Sequence, residues 1–491
     1  MTTMHTPTEQ QAAIIQAVVQ GEHVAVQALA GTGKTTTLGM IVQALAPRQV
    51  RYITFNARNA REVSHEFASM PNVRVSTGHA LALRACRTDP TLEHWVQHAG
   101  TGRVPFNEEF ETLGVDDFAH VLSRTPSTIP GRKWNQHPPK FSHRRRMLSL
   151  ARKTVIEFCK SADDEVLEAH LPKDLDQDKD IRAQVLRAAR RMWDLLSEGK
   201  AFTPNHAYYY KAWSLSNPLI GLPGDVIAYD EAQDAAPVLL KVLLAQRHRC
   251  QLVFVGDSYQ MIYGFTGSVD GVARLSEIPG VTTLPLTTSY RFGPSIAASA
   301  NGVLAKLGSA HELIGEGPEE GTFSTVDAVH GKPDAILCRA NSQVLRHAMW
   351  QLRADRKVHS TLNPKALESL AKDVHRLQQG ETESINDPIL SGVDDLDSWL
   401  EAEAEDGNDD LRSRVRAILS VGIDQVLDLA SRLVPADKAD VVVSTVHKAK
   451  GGTWDHVVID LPVADDDESR KLLYVARTRA RVRSEQIRKA S

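Results

Sequence analysis

Cysteine is scarce in this chain: of 491 residues only four are thiols, Cys86, Cys159, Cys250 and Cys338, and no two form a CxxC pair. That spacing gives no support to a disulfide scaffold, a zinc ribbon or an iron–sulfur cluster, and reduced cytosolic thiols are expected. No apolar run approaches the ~18 to 20 residues of a membrane span, and the opening "MTTMHTPTEQ" has no apolar stretch of its own. No membrane partner is therefore expected. A strong global charge is also missing: the formal net charge is −4, so a polyanion must be held by local basic surface. Internal repeats and low-complexity tails are absent. With 42% hydrophobic and 24% charged residues, the composition is that of a soluble protein, and the length calls for two to four domains.

What is present is alternation. Strand-like runs flanked by helical patterns occur at "HVAVQAL", "VRYITF", "VRVSTGHAL", "GDVIAYDE", "CQLVFVGD", "DAILCR", "DVVVSTVH" and "HVVIDL". They fall into two groups, up to about Asp257 and again from Asp334, which predicts two parallel α/β domains. Between Thr91 and Phe202, and between Leu362 and Asp437, the pattern turns helical. The acidic run "DDLDSWLEAEAEDGNDDL" reads as a solvated helix face and loop. The basic run "SHRRRMLSLARK" either meets nucleic-acid phosphates or is a solvated helix face.

The segment "AVQALAGTGKTTTLGM" joins a strand to a helix through small residues and fits [AG]-x4-G-K-[ST]. Ala28, Gly31, Thr32, Gly33, Lys34, Thr35 and Thr36 are the expected phosphate set. Backbone N–H groups would cradle the phosphates, Lys34 would reach the β- and γ-phosphates, and the Thr35 hydroxyl would ligate Mg²⁺. In "VIAYDEAQD" an apolar strand ends in two carboxylates. Asp230 suits a Mg²⁺ ligand and Glu231 a base for the attacking water. In "VFVGDSYQMIYGFTGS", Asp257 and Gln260 belong at the same sheet edge, with Gln260 near the γ-phosphate. Tyr263 and Phe265 either stack on bases or pack into the core.

Nine segments in register carry a family resemblance: "TPTEQQAAI", "ALAGTGKTT", "YITFNARNAREV", "STGHAL", "VIAYDEAQD", "VGDSYQMIYGF", "LTTSYRFGPSIAASAN", "VVVSTVHKAKGGTWDHVVI" and "RKLLYVARTRAR". Together they resemble superfamily 1 DNA helicases of the UvrD/Rep type, and among these the helicase portion of the F-box DNA helicases and their bacterial and phage relatives. The resemblance implies an α/β fold of two RecA-like P-loop motor domains with parallel sheets, each interrupted by a mainly helical insertion. Residues 1–90 and 203–283 would form the first motor domain and 284–361 and 438–491 the second. Residues 91–202 and 362–437 would be the insertions.

The resemblance also implies site roles. Gln10 would read the adenine edge, Tyr290 would stack on the adenine, and Gly451 joins the ATP-binding set. Arg291 and Arg479 resemble arginine fingers, completing a catalytic set of Lys34, Asp230, Glu231, Gln260, Arg291 and Arg479. Phe55, Asn56, His79, Tyr263, Phe265 and His447 resemble single-stranded DNA contacts. The implied protein is an ATP- and Mg²⁺-dependent 3′–5′ helicase acting on single strands and single/double-strand junctions in DNA repair or recombination. A translocase that strips recombinase or other proteins from single-stranded DNA shares the same residues. The expected location is the cytoplasm of a bacterial or phage-infected cell, with association to the nucleoid when on DNA. No F-box-like segment precedes the motor, so an adaptor role is not expected. Three positions depart from the family pattern: Thr266 stands where arginine is common, and Gly452 and Thr453 replace leucine and glutamate. The last change leaves no carboxylate there for the ribose.

Overall fold

The computed structural model describes residues 6–97, 103–123, 141–173, 175, 177–381, 384–387, 390, 393, 396–401 and 409–488. Contacts divide the chain into two units. The first comprises the residues up to Gln27 together with Lys34–Ser258 and Tyr263–Leu284. The second comprises Ala28–Gly33, Tyr259–Ile262 and the chain from Pro285 onward. Both are α/β units, each built around a six-stranded sheet. Among the described residues no helix is long and apolar enough to cross a membrane.

The first sheet is built from β1 (His23–Ala28), β2 (Val50–Thr54), β3 (Val73–Thr77), β4 (Val226–Asp230), β5 (Gln251–Gly256) and β6 (Val281–Leu286), in the order β3-β2-β4-β5-β1-β6. The pairs β2–β3, β2–β4, β4–β5 and β1–β5 are parallel. Every residue of β4 and β5 is buried, as expected of central strands covered on both faces. Their apolar side chains Ile227, Tyr229, Leu252 and Phe254 form one core with Ala25 and Ile53. All the loops that leave the carboxyl ends of these strands emerge at one edge, where open α/β sheets bind ligands.

The long excursion between β3 and β4 has its own core. Helices Phe141–Lys160 and Lys179–Ser197 pack Met147, Leu148, Val155, Phe158, Val185 and Met192 together. Asp178 caps the second of them by accepting from the Asp180 and Ile181 N–H groups, which would otherwise be orphaned at its start. Glu109, fully buried, accepts from Arg152 at 2.5 Å and from the Thr203 N–H at 2.7 Å, tying three segments of the excursion to one carboxylate.

In the second unit, β7 (Thr288–Ser289) and β8 (Ile314–Gly315) make a short parallel pair. The main sheet contains β9 (Thr322–Val326), β10 (Ala335–Cys338), β11 (Val358–Ser360), β12 (Val441–Thr445), β13 (Trp454–Asp460) and β14 (Ala480–Ile487). Its order is β11-β12-β10-β13-β14-β9, parallel throughout. Helices Pro364–Gln378, Asp409–Val421 and Ile423–Arg432 share a core with Ile336, Val443 and Val458 of this sheet. The acidic run, residues 394–411, contains helix Leu396–Glu401 and ends in the first turn of helix Asp409–Val421; its residues 394–395 and 402–408 lie outside the described residues.

Candidate nucleotide and nucleic-acid site

The turn after β1 needs glycine twice. Gly31 and Gly33 have φ of +75° and +76°, a region costly for any residue with a Cβ. A Cβ at Gly31 would also run into the Ser289 hydroxyl and the Arg291 Cβ. Thr32 folds its hydroxyl onto the Leu29 carbonyl at 2.8 Å, and helix Lys34–Ala44 begins with no acidic residue in its first turn. Backbone N–H groups, a helix N-terminus and Lys34 thus converge, a donor set suited to a nucleotide's phosphates. Gln11, next to Gln10, faces inward with Ile14, Ala17 and Val18 on helix Glu9–Val19, which precedes β1. It completes a capping box with Thr8 and donates to the Thr37 hydroxyl at 3.0 Å, while Gln10 stays half-exposed.

Asp230 ends β4 and is 4% exposed. Burial, reinforced by the neighbouring Glu231 charge, pushes its carboxyl up to about 6, against the hydrogen bond from Tyr52 and the charge of Lys34. A group whose pKa is raised on folding contributes stability below its unfolded pKa and loses it as pH rises through the folded one. The fold therefore holds ionised Asp230 at a cost above about pH 6, and a bound divalent cation would offset that cost. A buried carboxylate of this kind is a donor that a hard divalent cation such as magnesium takes.

Tyr52, fully buried on β2, donates its hydroxyl to Asp230 Oδ2 at 2.8 Å. Removing that donor raises the carboxyl further. Tyr52→Phe is expected to move the acid limb of the ATPase pH profile upward by about one unit, the size of one hydrogen bond to a charged group. A profile measured at subsaturating Mg²⁺ reads this directly, and an unmoved limb would show that Tyr52 does not tune Asp230.

Glu231 stands in the left-handed region at φ +55°, beside only Asn217 and Asp355 among described non-glycine residues. Such a conformation costs on the order of 1–3 kcal/mol and concentrates at functional sites. It turns the Glu231 side chain onto the fully buried Gln233, whose Nε2 donates to Glu231 Oε2 at 2.5 Å. Gln233 Oε1 in turn accepts from the Asp257 N–H at 3.0 Å, and Gln27 donates to Asp257 Oδ1 at 3.3 Å. Gln233 therefore locks the carboxyl ends of β4 and β5 together. Sequence reasoning passed over it and Tyr52. Gln233 sits inside the quoted "DEAQD", while nothing local marks Tyr52.

Within the second unit, Arg479 is 2% exposed and donates to the Val475 carbonyl at 3.0 Å and to Gln260 Oε1 at 2.9 Å. Lys450 donates to the Gln260 carbonyl at 2.7 Å. Arg291 donates to the Thr478 carbonyl at 2.9 Å, so both expected fingers share the turn that ends helix Asp467–Arg477. The Ala30 N–H donates to the Tyr474 hydroxyl and the Tyr290 N–H to the Gly31 carbonyl, each at 3.0 Å. Tyr290 is 44% exposed. Gly451, at φ +87°, lies in the turn before β13.

The expected DNA contacts divide by environment. Phe55 follows β2 and stacks on Tyr263 with centroids 5.6 Å apart and planes at 16°. Phe265 follows at 6.4 Å from Tyr263. Phe55 and Phe265 are 41% and 66% exposed, which answers the core-packing alternative for Phe265. Asn56 is an N-cap, accepting from the Asn59 N–H at 2.9 Å, so it organises helix Ala57–Glu66 whatever else it touches. His79 lies against Tyr210 at 4.1 Å between ring centroids, and its pKa is lowered by burial and then by His206. Burial, followed by Arg339, also lowers the pKa of His447. Both imidazoles are therefore shifted toward the neutral form, His79 while still exposed at the surface.

Two departures from the family pattern have structural counterparts. The Thr266 hydroxyl donates to the Tyr263 carbonyl at 2.7 Å and closes the turn that presents the aromatic pair. A Cβ at Gly452 would strike the Trp454 indole, so a branched residue cannot stand there without moving that ring. The basic run is only partly a solvated face: Arg144 pairs with Asp116 at 2.6 Å, Arg152 with Glu109, and Arg145 lies over the Phe106 ring at 5.4 Å.

Comparison with known proteins adds family evidence. Residues 10–266 match the AAA domain family, and residues 440–484 match the UvrD-like helicase C-terminal domain. The chain is 27% identical over 531 aligned positions to F-box DNA helicase 1 of Gallus gallus, covering 96% of this chain and 48% of that protein. It is 26% identical over 521 positions to F-box DNA helicase protein 1 of Schizosaccharomyces pombe, covering 97% and 57% respectively. The chain thus spans about half the length of the curated relatives it matches. Among solved structures, an arterivirus nonstructural protein 10 (helicase) aligns over 97% of this chain and 61% of its own, at 10% identity and a TM-score of 0.37, too loose a likeness to carry an inference.

Proposed function

The chain belongs to the AAA domain family, and we propose, with the UvrD-like helicase C-terminal match at residues 440–484 in support, that it is an ATP- and Mg²⁺-dependent motor that moves 3′ to 5′ on single-stranded DNA and separates duplexes. The observation that carries this reading is the aromatic run Phe55, Tyr263 and Phe265, with Phe55 and Phe265 exposed and Tyr263 half-buried, at the same carboxyl edge of the first sheet as Lys34, Asp230 and Glu231. Phe55 and Phe265 offer flat rings to solvent, which suits stacking on bases.

When bound, Mg-ATP supplies the energy and the metal's charge at the phosphates. Lys34 and the loop N–H groups hold the phosphates, Thr35 and Asp230 the metal, and Glu231 takes the proton of the attacking water. Arg291 and Arg479 are the proposed donors to charge developing on the γ-phosphate. Tyr290 and Gln10 are the proposed adenine contacts, and Gly451 is a further proposed nucleotide-binding residue. Flat rings accept any base, with stacking contributing roughly 1–3 kcal/mol per base, so a sequence-tolerant track is the proposed role of Phe55, Tyr263 and Phe265 with His79 and His447. The motor domains are proposed as residues 1–90 with 203–283 and 284–361 with 438–491.

The test is strand displacement on duplexes with 3′ or 5′ single-stranded tails, beside single-strand translocation. Unwinding only from 3′ tails supports the proposal. Translocation without displacement would favour a translocase that clears proteins from single strands. Phe265→Ala is expected to weaken DNA binding and displacement by about tenfold or more while leaving DNA-free ATPase near wild type, since one stacked base is lost and no phosphate contact is touched. A matching loss of DNA-free ATPase would make Phe265 a structural residue instead.

A further inference from the structure

We propose that Cys338, His347 and Asp460 form a binding site for a divalent transition-metal ion, with zinc the ion this donor set suits. Cys338 ends β10 and Asp460 ends the adjacent β13, and the two are register partners. Residues paired in register leave the sheet on the same face, so thiol and carboxylate start side by side. Helix Asn341–Arg353 follows β10 directly and packs back on the sheet. That return brings His347, on its second turn, over the same two strand ends. One donor atom from each residue lies within 4.8 Å of the others.

The chemistry of the cluster is that of a metal site. Cys338, His347 and Asp460 are 0%, 3% and 9% exposed. His347 Nε2 and Asp460 Oδ2 are 2.8 Å apart, while the buried His347 Nδ1 has no hydrogen-bond partner. Nε2 is thus the ring nitrogen placed to share an ion with the Asp460 carboxylate, in exchange for the present His–Asp hydrogen bond. Zn–N and Zn–O bonds of ~2.0–2.2 Å and a Zn–S bond of ~2.3 Å put tetrahedral donors ~3.3–3.6 Å apart, so closure on an ion needs shifts of about an ångström. Three protein donors leave a fourth position for water, and a thiolate with a carboxylate balances the ion's charge. Gln343 braces the site by donating to the Asp460 carbonyl at 3.3 Å while accepting from the Arg339 and Ala340 N–H groups. The other reading is a metal-free His–Asp bridge that fastens the helix to β13.

The two readings part in a metal-binding experiment that needs no ATP or DNA. Protein stripped with chelator and dialysed against buffered zinc should retain about one equivalent by mass spectrometry. Cobalt should give the near-ultraviolet thiolate charge-transfer band. Cys338→Ser, the gentlest change, should remove that band and weaken zinc binding at least ~100-fold, beyond the range seen for losing a residue behind a ligand. His347→Gln should do the same, with a melting curve in chelator confirming that each variant is folded. Zinc should raise the wild-type melting temperature and not that of Cys338→Ser. No bound zinc in wild type, or equal uptake by Cys338→Ser, would overturn the proposal and leave the His–Asp bridge as the role of the cluster.

Discussion

Glu231→Gln is expected to lower ATP turnover at least ~100-fold while leaving nucleotide affinity within a few-fold of wild type. The substitution keeps the length and planarity of the side chain, and an amide oxygen can still accept from Gln233 Nε2. The φ of +55° costs glutamine about what it costs glutamate, so the turn should persist. What disappears is the basic oxygen. Asp230, Thr35 and Lys34 are untouched, which is why binding should survive where turnover fails. Single-turnover hydrolysis beside equilibrium binding of a fluorescent ATP analogue separates the two. Turnover near the wild-type rate would remove Glu231 from the role of base. A parallel loss of affinity would instead mean that the Glu231–Gln233 lock shapes the phosphate site as a whole.

Arg479→Ala carries the second large effect. An arginine donating to a phosphoryl group in transit contributes on the order of 10³-fold or more to turnover, and hydrolysis should fall by that much with or without DNA. Arg479 is also buried, with hydrogen bonds to Val475 and Gln260, so truncation removes packing as well as charge. Arg479→Lys is the companion variant. It restores charge and much of the stem, but an ammonium cannot reach two acceptors in the fixed fork of a guanidinium, and turnover should remain strongly impaired. Melting temperatures and nucleotide binding of both variants show whether the fold is intact. A folded Arg479→Lys protein with nearly full turnover would reduce Arg479 to a point charge, and a folded Arg479→Ala protein with full turnover would end its catalytic assignment.

The alternation in the sequence located β1, β2, β4, β5, β10, β12 and β13 because these are interior strands whose burial leaves apolar runs, as in "VIAYD", and it located the edge strand β3 through its alternating "VRVST". It passed over β6, β9, β11 and β14. Strand β9 is largely exposed and β14 reads "ARVRSEQI", with charges on its open face, so neither gives a clean apolar or alternating signal. The site was legible where its chemistry is contiguous. Lys34 lies in a loop whose glycines are demanded by φ, and Asp230–Glu231 are adjacent at a strand end. It was illegible where partners meet across the chain. Tyr52 reaches Asp230 from 178 residues away, and the Cys338–His347–Asp460 cluster is assembled by strand register and a helix return. The basic helix shows the opposite failure, since charge spacing alone cannot say that Arg144 and Arg152 are already paired with Asp116 and Glu109.

The central claim is that one chain couples the Lys34–Asp230–Glu231 chemistry to a single strand of DNA, and steady-state ATPase with and without single-stranded DNA tests it most directly. The account predicts slow, Mg²⁺-dependent hydrolysis alone and a large stimulation by single-stranded DNA that Phe265→Ala blunts. Hydrolysis that is absent, or that proceeds at the same rate with and without DNA, would contradict it.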